Sequence, residues 1–138
     1  MEPLAHFLCD VINPLLAVCV ALAPVRSPRP GAFWARGVAG IGLAVAAAEA
    51  GKHWVVWPGH PTFPSGHETF ALAAGTLLIR RDSRWLLPVL PLSLLLAWAL
   101  VEAHYHQPVD VAGALLTGPP LALLGERLLT PRRSPEGA

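Results

Sequence analysis

The sequence contains little charge and a single lysine, Lys52. Only 14% of its 138 residues are charged, whereas 54% are hydrophobic, and the mean hydropathy is +0.50. Such a composition excludes an ordinary soluble domain. The formal net charge of +1 is low and the arginines are scattered without an aromatic face, which argues against binding to nucleic acid. We expect one small membrane domain over residues 1–129 and a polar, disordered tail over residues 130–138.

Cysteine is scarce as well, with only Cys9 and Cys19. On one helix they would lie roughly 15 Å apart, which excludes a disulfide between them. The first apolar run lacks a basic start and is interrupted by Asp10, Asn13 and Pro14. We therefore predict a retained helix rather than a cleaved signal peptide, with Asp10 and Asn13 finding partners inside the bundle.

Long apolar runs separated by short polar segments dominate the rest of the chain. Runs of this kind predict membrane-spanning helices, and the shorter ones can be accommodated by tilt or by a thinned bilayer. The fold class we predict is an all-α integral membrane bundle with short loops. Its five helices are expected at about 4–24, 33–57, 65–79, 86–103 and 109–125.

Arginine is confined to alternate connections. It occurs around the first and third connections and near the C-terminus, but the second and fourth connections contain no Lys or Arg. The positive-inside rule then predicts a cytoplasmic-membrane protein with its N-terminus outside and its C-terminus inside. The connections at 58–64 and 104–108 would lie outside, and all six histidines would lie at or near the outer face.

Ser65, Gly66, His67 and Glu68 begin the third predicted helix. Ser followed three residues later by Glu is typical of a capping box with Ser65 as the N-cap, and capping alone would explain both residues. A helix N-terminus also offers free backbone amides and a positive dipole end to an anion. His67, in the first turn, would then reach a phosphate bound beside Gly66.

His106 and Asp110 flank the start of the fifth predicted helix. A hydrogen bond from His106 Nδ1 to the Asp110 carboxylate would leave Nε2 as a base or nucleophile. The alternative is that Asp110 only caps the helix and that His106 is an interfacial polar residue.

Lys52 lies near the outer end of the second predicted helix, where an ammonium is costly without an anionic partner. It could pair with Glu49 one turn earlier, or it could donate to a bound phosphate. His53 and His60 lie among tryptophans, as interfacial aromatic-belt residues do.

Two strings of this sequence resemble signature motifs of a known family. Pro64-Ser65-Gly66-His67 and, about forty residues later, His106-x3-Asp110 resemble the second and third motifs of the type-2 phosphatidic acid phosphatase (lipid phosphate phosphatase) superfamily. Lys52, upstream of His60-Pro61, resembles the start of its first motif. The resemblance covers about residues 50–115 and implies a core of four helices like the lipid phosphate phosphatase fold.

The resemblance implies hydrolysis of a lipid phosphate or isoprenoid pyrophosphate without metal or other cofactor. His106, polarised by Asp110, would attack phosphorus to form a phosphohistidine, and His67 would protonate the leaving oxygen. The phosphoryl oxygens would be held by Ser65, the Gly66 amide and Lys52.

The sequence departs from the family pattern at two cationic positions. His60 stands where the first motif carries arginine, and Ala99-Leu100 replace the Ser-Arg that opens the third motif. His60 and His104 are therefore expected to supply part of the positive charge for substrate binding. The alternatives are a lipid phosphotransferase of the sphingomyelin synthase-like branch and a catalytically inactive relative.

Two further classes of function are compatible with the residues. Metal or haem binding is one, because imidazole and carboxylate groups suit zinc or iron. A non-catalytic, partner-binding bundle is the other, and a homodimer would cover apolar surface that lipid could cover equally well. The residues that would gather for a metal are His60, His67, Glu68, Glu102, His104 and His106.

Overall fold

The computed structural model describes residues 1–24 and 29–130. Within these ranges the protein consists of helices and turns, so the predicted all-helical class and the five helices are confirmed. The tail from residue 131 onward, Arg26, Arg132 and Arg133 lie outside the described residues. The helices are α1 (Glu2–Leu22), α2 (Pro30–His53), α3 (Gly66–Arg81), α4 (Leu86–Glu102) and α5 (Pro108–Leu128), with a 3-10 turn at Ser83–Trp85 before α4.

The ends of α2 differ from the prediction of 33–57. The helix begins earlier because Pro30 occupies its first turn, where a missing N–H costs nothing. It ends at His53 because the Val55 N–H donates to the Lys52 carbonyl and the Val56 N–H to the Gly51 carbonyl, both at 3.1 Å. This pair of bonds closes a helix in a Schellman motif and puts Val55 in the left-handed region, at φ 45°. The apolar run therefore continues past the end of the helix.

Four of the helices are long and apolar enough to cross a membrane: α1, α2, α5, and α4 together with the preceding turn. The third predicted span, α3, is not among them: it has only 16 residues, which is about 24 Å against the roughly 30 Å of a bilayer core. Of the helices it is α3 that packs against all four others.

Small residues allow the helices to approach closely. A Cβ on Gly125 would lie 2.6 Å from the Cα of Gly40, so the backbones of α5 and α2 are in contact. Ala44, Ala73 and Ala122 join α2, α3 and α5 in one buried cluster. Such small-residue interfaces are typical of helices that pack within a membrane.

The first two helices lie apart along much of their length, although they are consecutive. Within the described residues they share no extended packing, and an apolar groove of about 410 Å³ lies between them. The Trp34 indole bridges the gap by donating to the Ala21 carbonyl at 3.1 Å. The groove is lined by residues that include Ala17, Val20, Val38, Ile41 and Phe70.

Up-and-down alternation brings the motif-bearing segments to one end of the bundle. His6 of α1 is hydrogen-bonded through Nδ1 to the Tyr105 hydroxyl beyond α4, at 2.7 Å, and the Ser65 N–H before α3 donates to the Asp110 carbonyl of α5, at 2.9 Å. We call this the histidine end. The opposite end carries the described arginines and is the arginine end.

Candidate active site

Asp110, in the first turn of α5, is the centre of a polar network at the histidine end. It is 0% exposed. Its Oδ2 accepts hydrogen bonds from the Thr62 hydroxyl at 2.6 Å and from the Gln107 N–H at 3.0 Å. A buried carboxylate is stable only with such partners, so Asp110 links the connection before α3 to the start of α5. Thr62 was not predicted as a site residue.

Two imidazoles flank the Asp110 carboxylate. His106 Nδ1 lies 3.6 Å from Oδ2, and His60 Nδ1 lies 3.5 Å from Oδ1. These distances exceed those of an ordinary hydrogen bond, but catalytic contacts in ligand-free structures often tighten when substrate binds. The structure thus places the predicted pair side by side without the predicted hydrogen bond, because the buried His106 Nδ1 has no hydrogen-bond partner among the described residues. The second imidazole, His60, was not expected to share this carboxylate.

His106 lies in the turn between α4 and α5, outside both helices. Burial lowers the pKa of its imidazole from the ordinary value of 6.5; the Asp110 carboxylate opposes this change, and the positive charges of Lys52 and His67 reinforce it. His106 is therefore neutral at pH 7, as a nucleophile or base must be. Lys52 and His67 are therefore near enough to His106 for their charges to act on its imidazole.

The connection between α2 and α3 is held by aromatic contacts and tight turns. The Trp57 ring lies edge-on to His60 at 5.3 Å and to Phe63 at 4.9 Å. The His60 N–H donates to the Trp57 carbonyl, and the Phe63 N–H donates to the His60 carbonyl. Trp57 thus positions His60 against Asp110, beyond the interfacial role that the sequence suggested.

Gly113 makes room for the Phe63 ring, because a Cβ on Gly113 would lie 2.2 Å from Phe63 Cε2. We expect Gly113→Ala to displace Phe63 and to destabilise the protein by about 1–3 kcal/mol through overpacking. Gly42→Ala is a matched control, because a Cβ on Gly42 meets nothing within 4 Å and alanine favours a helix. Thermal unfolding in detergent should give a lower midpoint for Gly113→Ala alone. Equal midpoints for the two variants would contradict the close contact.

An open cleft of about 250 Å³ lies between α1, α2 and α3 at the start of α3, and neither His106 nor Asp110 is among its lining residues. Lys52 Nζ is 2.6 Å from Glu49 Oε1, so the pairing predicted as one alternative is present. A Cβ on Gly66 would lie 2.9 Å from both of these atoms, which means that the ion pair is seated on the start of α3. The cleft is lined by Asn13, Val45, Glu49, Lys52, Gly66, His67 and Phe70.

Asn13 contributes to this cleft from α1. Its Nδ2 donates to the His67 carbonyl at 3.2 Å, and its buried Oδ1 has no partner among the described residues. The expectation that Asn13 has a partner in the bundle is confirmed. The parallel expectation for Asp10 is wrong, because Asp10 is exposed; it is rotated by about 100° from Cys9, which is part of the buried stripe of α1.

Two more of the predicted site residues, His67 and His104, are exposed and lie in different parts of the structure. His67 is exposed and lines the cleft. His104 is exposed and adopts a left-handed backbone conformation, at φ 57°. It follows the C-cap of α4, where its N–H donates to the Val101 carbonyl and the Tyr105 N–H donates to the Leu100 carbonyl. Histidine tolerates this conformation better than most residues. The backbone explains its location, and its binding role remains a prediction.

Only half of the predicted capping box is present. Ser65 Oγ accepts from the Glu68 N–H at 3.4 Å, but the Ser65 N–H is used by the Asp110 carbonyl rather than by the Glu68 carboxylate. Glu68 is instead 3% exposed, and its Oε2 lacks a partner among the described residues. The packing of α5 against the start of α3 causes this difference. Ser65 caps α3 and is fully buried.

Within residues 1–24 and 29–130, no group of three or more His, Cys, Asp or Glu side chains has the arrangement of a metal site. No family model, no curated protein and no solved structure matches the chain. Chemically, the site combines a neutral imidazole backed by a buried carboxylate with an ammonium, a second imidazole and a helix N-terminus. Such a set suits nucleophilic attack on an anionic, phosphate-like group.

Proposed function

We propose that the protein is a membrane phosphatase that resembles the type-2 phosphatidic acid phosphatase superfamily and hydrolyses a lipid phosphate or an isoprenoid pyrophosphate. The observation that carries the proposal is the buried Asp110 carboxylate with His106 Nδ1 at 3.6 Å. Lys52 and His67, which line a cleft at the start of α3 with Gly66, are near enough to lower the pKa of His106 by their charge. A nucleophile with its orienting carboxylate and a cationic anion site are the two parts that phosphoryl transfer needs.

In the first step, Nε2 of neutral His106 attacks phosphorus, and the bond from phosphorus to the leaving oxygen breaks. Protonated His67 gives its proton to that oxygen, and Asp110 stabilises the imidazolium that forms. In the second step, His67 takes a proton from water as the water oxygen attacks phosphorus. The P–N bond then breaks, which releases phosphate and restores His106.

The charge of the transferred group would be stabilised by Lys52 and by the backbone amides at the start of α3. Lys52 is already paired with Glu49, so a phosphate must compete with that carboxylate. His60 faces Asp110, and it would help Thr62 to hold this carboxylate in place. This role would come in addition to the positive charge that it supplies in place of the missing arginine. Ser65 acts through the cap that sets the start of α3.

The apolar groove between α1 and α2 supports a substrate with a hydrocarbon tail. Phe70 lines both the groove and the cleft, so a headgroup beside His67 can have its tail among apolar side chains. Asn13, which lines the cleft, is about 10 Å along α1 from His6 at the histidine end. The cleft therefore lies about that far inside the bundle. With arginines at the opposite end, the positive-inside rule would put this site on the outer side of the membrane.

Phosphate release from phosphatidate, farnesyl pyrophosphate and glycerol phosphate in detergent tests the proposal. We expect kcat/KM to be at least about tenfold higher for the lipids, because tail burial adds binding energy. His67→Ala should lower kcat by about 10² to 10⁴-fold through loss of the general acid. Absence of phosphate release from all three substrates, or equal rates for wild type and His67→Ala, would refute the proposal.

A further inference from the structure

A second cleft, of about 400 Å³, lies at the arginine end of the bundle, between the start of α2 and the ends of α3 and α5. Its volume is within the range of small-molecule sites. The walls contain four arginines and one carboxylate, and the remaining lining residues are small or apolar. The charged lining residues are Arg29, Arg36, Arg80, Arg81 and Glu126.

The charges in this cleft do not cancel. Arg80 Nε lies 3.5 Å from Glu126 Oε2, which accounts for one of the four guanidinium groups. The Arg81 guanidinium lies over the Phe33 ring, 5.3 Å from its centroid, and this contact orients it without neutralising it. The cleft therefore has a formal excess of three positive charges (four arginines less one glutamate), which favours an anionic ligand.

Membrane orientation alone does not account for this arrangement. The positive-inside rule requires arginines only in or near the connections, and Arg84 and Arg127 meet that requirement without lining the cleft. Arg36, in contrast, is the seventh residue of α2 and is half-buried. A partly buried guanidinium is costly unless an anion accompanies it.

We propose that this cleft binds a phosphate-bearing anion, either the headgroup of an anionic lipid or a soluble phosphate. Guanidinium groups from two helices can each make paired hydrogen bonds to phosphate oxygens. Basic pockets between helices at the cytoplasmic side of a membrane are suited to lipid headgroups. Along α2, Arg36 is about 24 Å from Lys52, so this site is separate from the candidate active site and does not depend on its chemistry.

The test uses full-length protein in phosphatidylcholine nanodiscs, with thermal unfolding as the readout. One arm replaces part of the lipid with phosphatidylglycerol, and the other adds inorganic phosphate to the buffer. The cleft variant is Arg36→Gln with Arg81→Gln. The matched control is Arg84→Gln with Arg127→Gln, which removes the same charge from the same end.

We expect a saturable rise of the unfolding midpoint in at least one arm, and the arm identifies the source of the phosphate. The apparent affinity should fall at least about tenfold further in the cleft variant than in the control, through loss of charge-assisted hydrogen bonds. No saturable shift in either arm, or equal losses in the two double variants, would overturn the proposal.

A variant that makes the cleft more positive covers the case in which the cleft variant fails to fold. Glu126→Gln removes the carboxylate that faces Arg80 and should tighten binding about fivefold. Unchanged or weaker binding would overturn the proposal equally.

Discussion

Replacing His106 with alanine is expected to lower the rate of phosphate release from a lipid phosphate by about 10³-fold or more. The variant removes the proposed nucleophile, and the loss of a group that forms the covalent intermediate cannot be compensated by the residues that bind the phosphate. His106 Nδ1 lies 3.6 Å from Asp110 Oδ2 and has no hydrogen-bond partner among the described residues, so the variant breaks no hydrogen bond there and the fold should persist. The measurement is kcat on phosphatidate in detergent, with the thermal midpoint as a check of folding.

His53→Ala is the matched control for this experiment. His53 is an exposed histidine at the end of α2, it packs beside Trp54, and it has no part in the proposed reaction. Its replacement should leave kcat within about twofold of wild type, as is usual for a surface side chain. An activity of His106→Ala equal to that of His53→Ala would exclude His106 as the nucleophile.

Asp110→Asn is expected to have the second large effect, a loss of about 10³ to 10⁴-fold in kcat together with a lower stability. The amide cannot stabilise the imidazolium that His106 becomes. Asp110 Oδ2 accepts hydrogen bonds from the Thr62 hydroxyl and the Gln107 N–H, and Asn has only one side-chain oxygen that can accept. Its NH2 group becomes a buried donor without a suitable acceptor, which costs about 1–3 kcal/mol. The combination separates this variant from His106→Ala, which should cost less stability because it breaks no hydrogen bond of the His106 ring nitrogen Nδ1.

Asp82→Asn is the control for Asp110→Asn. Asp82 also accepts a backbone hydrogen bond at the start of a helical segment, from the Arg84 N–H at 2.9 Å, but it lies at the arginine end. Asparagine is as good a cap as aspartate, so activity and midpoint should stay near wild type. If Asp110→Asn behaves in the same way as Asp82→Asn, Asp110 is only a helix cap, as one alternative from the sequence holds.

The helices were predictable because long apolar runs are a local signal, and their number was correct. The end of α2 was not predictable, because the run continues through Val55, which adopts a left-handed conformation that glycine usually signals. Prolines at the first positions of α2 and α5 are starts that a sequence can show. Boundary signals therefore failed where an unusual residue takes the glycine position.

The pairing of His106 with Asp110 was predictable because four residues across a helix start bring these side chains together. The contacts of Thr62 and His60 with Asp110 join segments nearly fifty residues apart, for which one sequence contains no signal. Asn13 could have been found as a polar residue within an apolar helix, but its partner, the His67 backbone, could not. Tertiary packing, rather than local pattern, completes the site.

Rapid-quench labelling with phosphatidate that carries radioactive phosphate tests the central claim most directly, because it detects the bond between His106 and phosphorus. The proposed mechanism predicts that wild-type protein acquires a label that is stable in base and lost in acid, as a phosphohistidine is, and that His106→Ala acquires none. Phosphate release by wild type without a labelled intermediate, or equal labelling of wild type and His106→Ala, would contradict the mechanism.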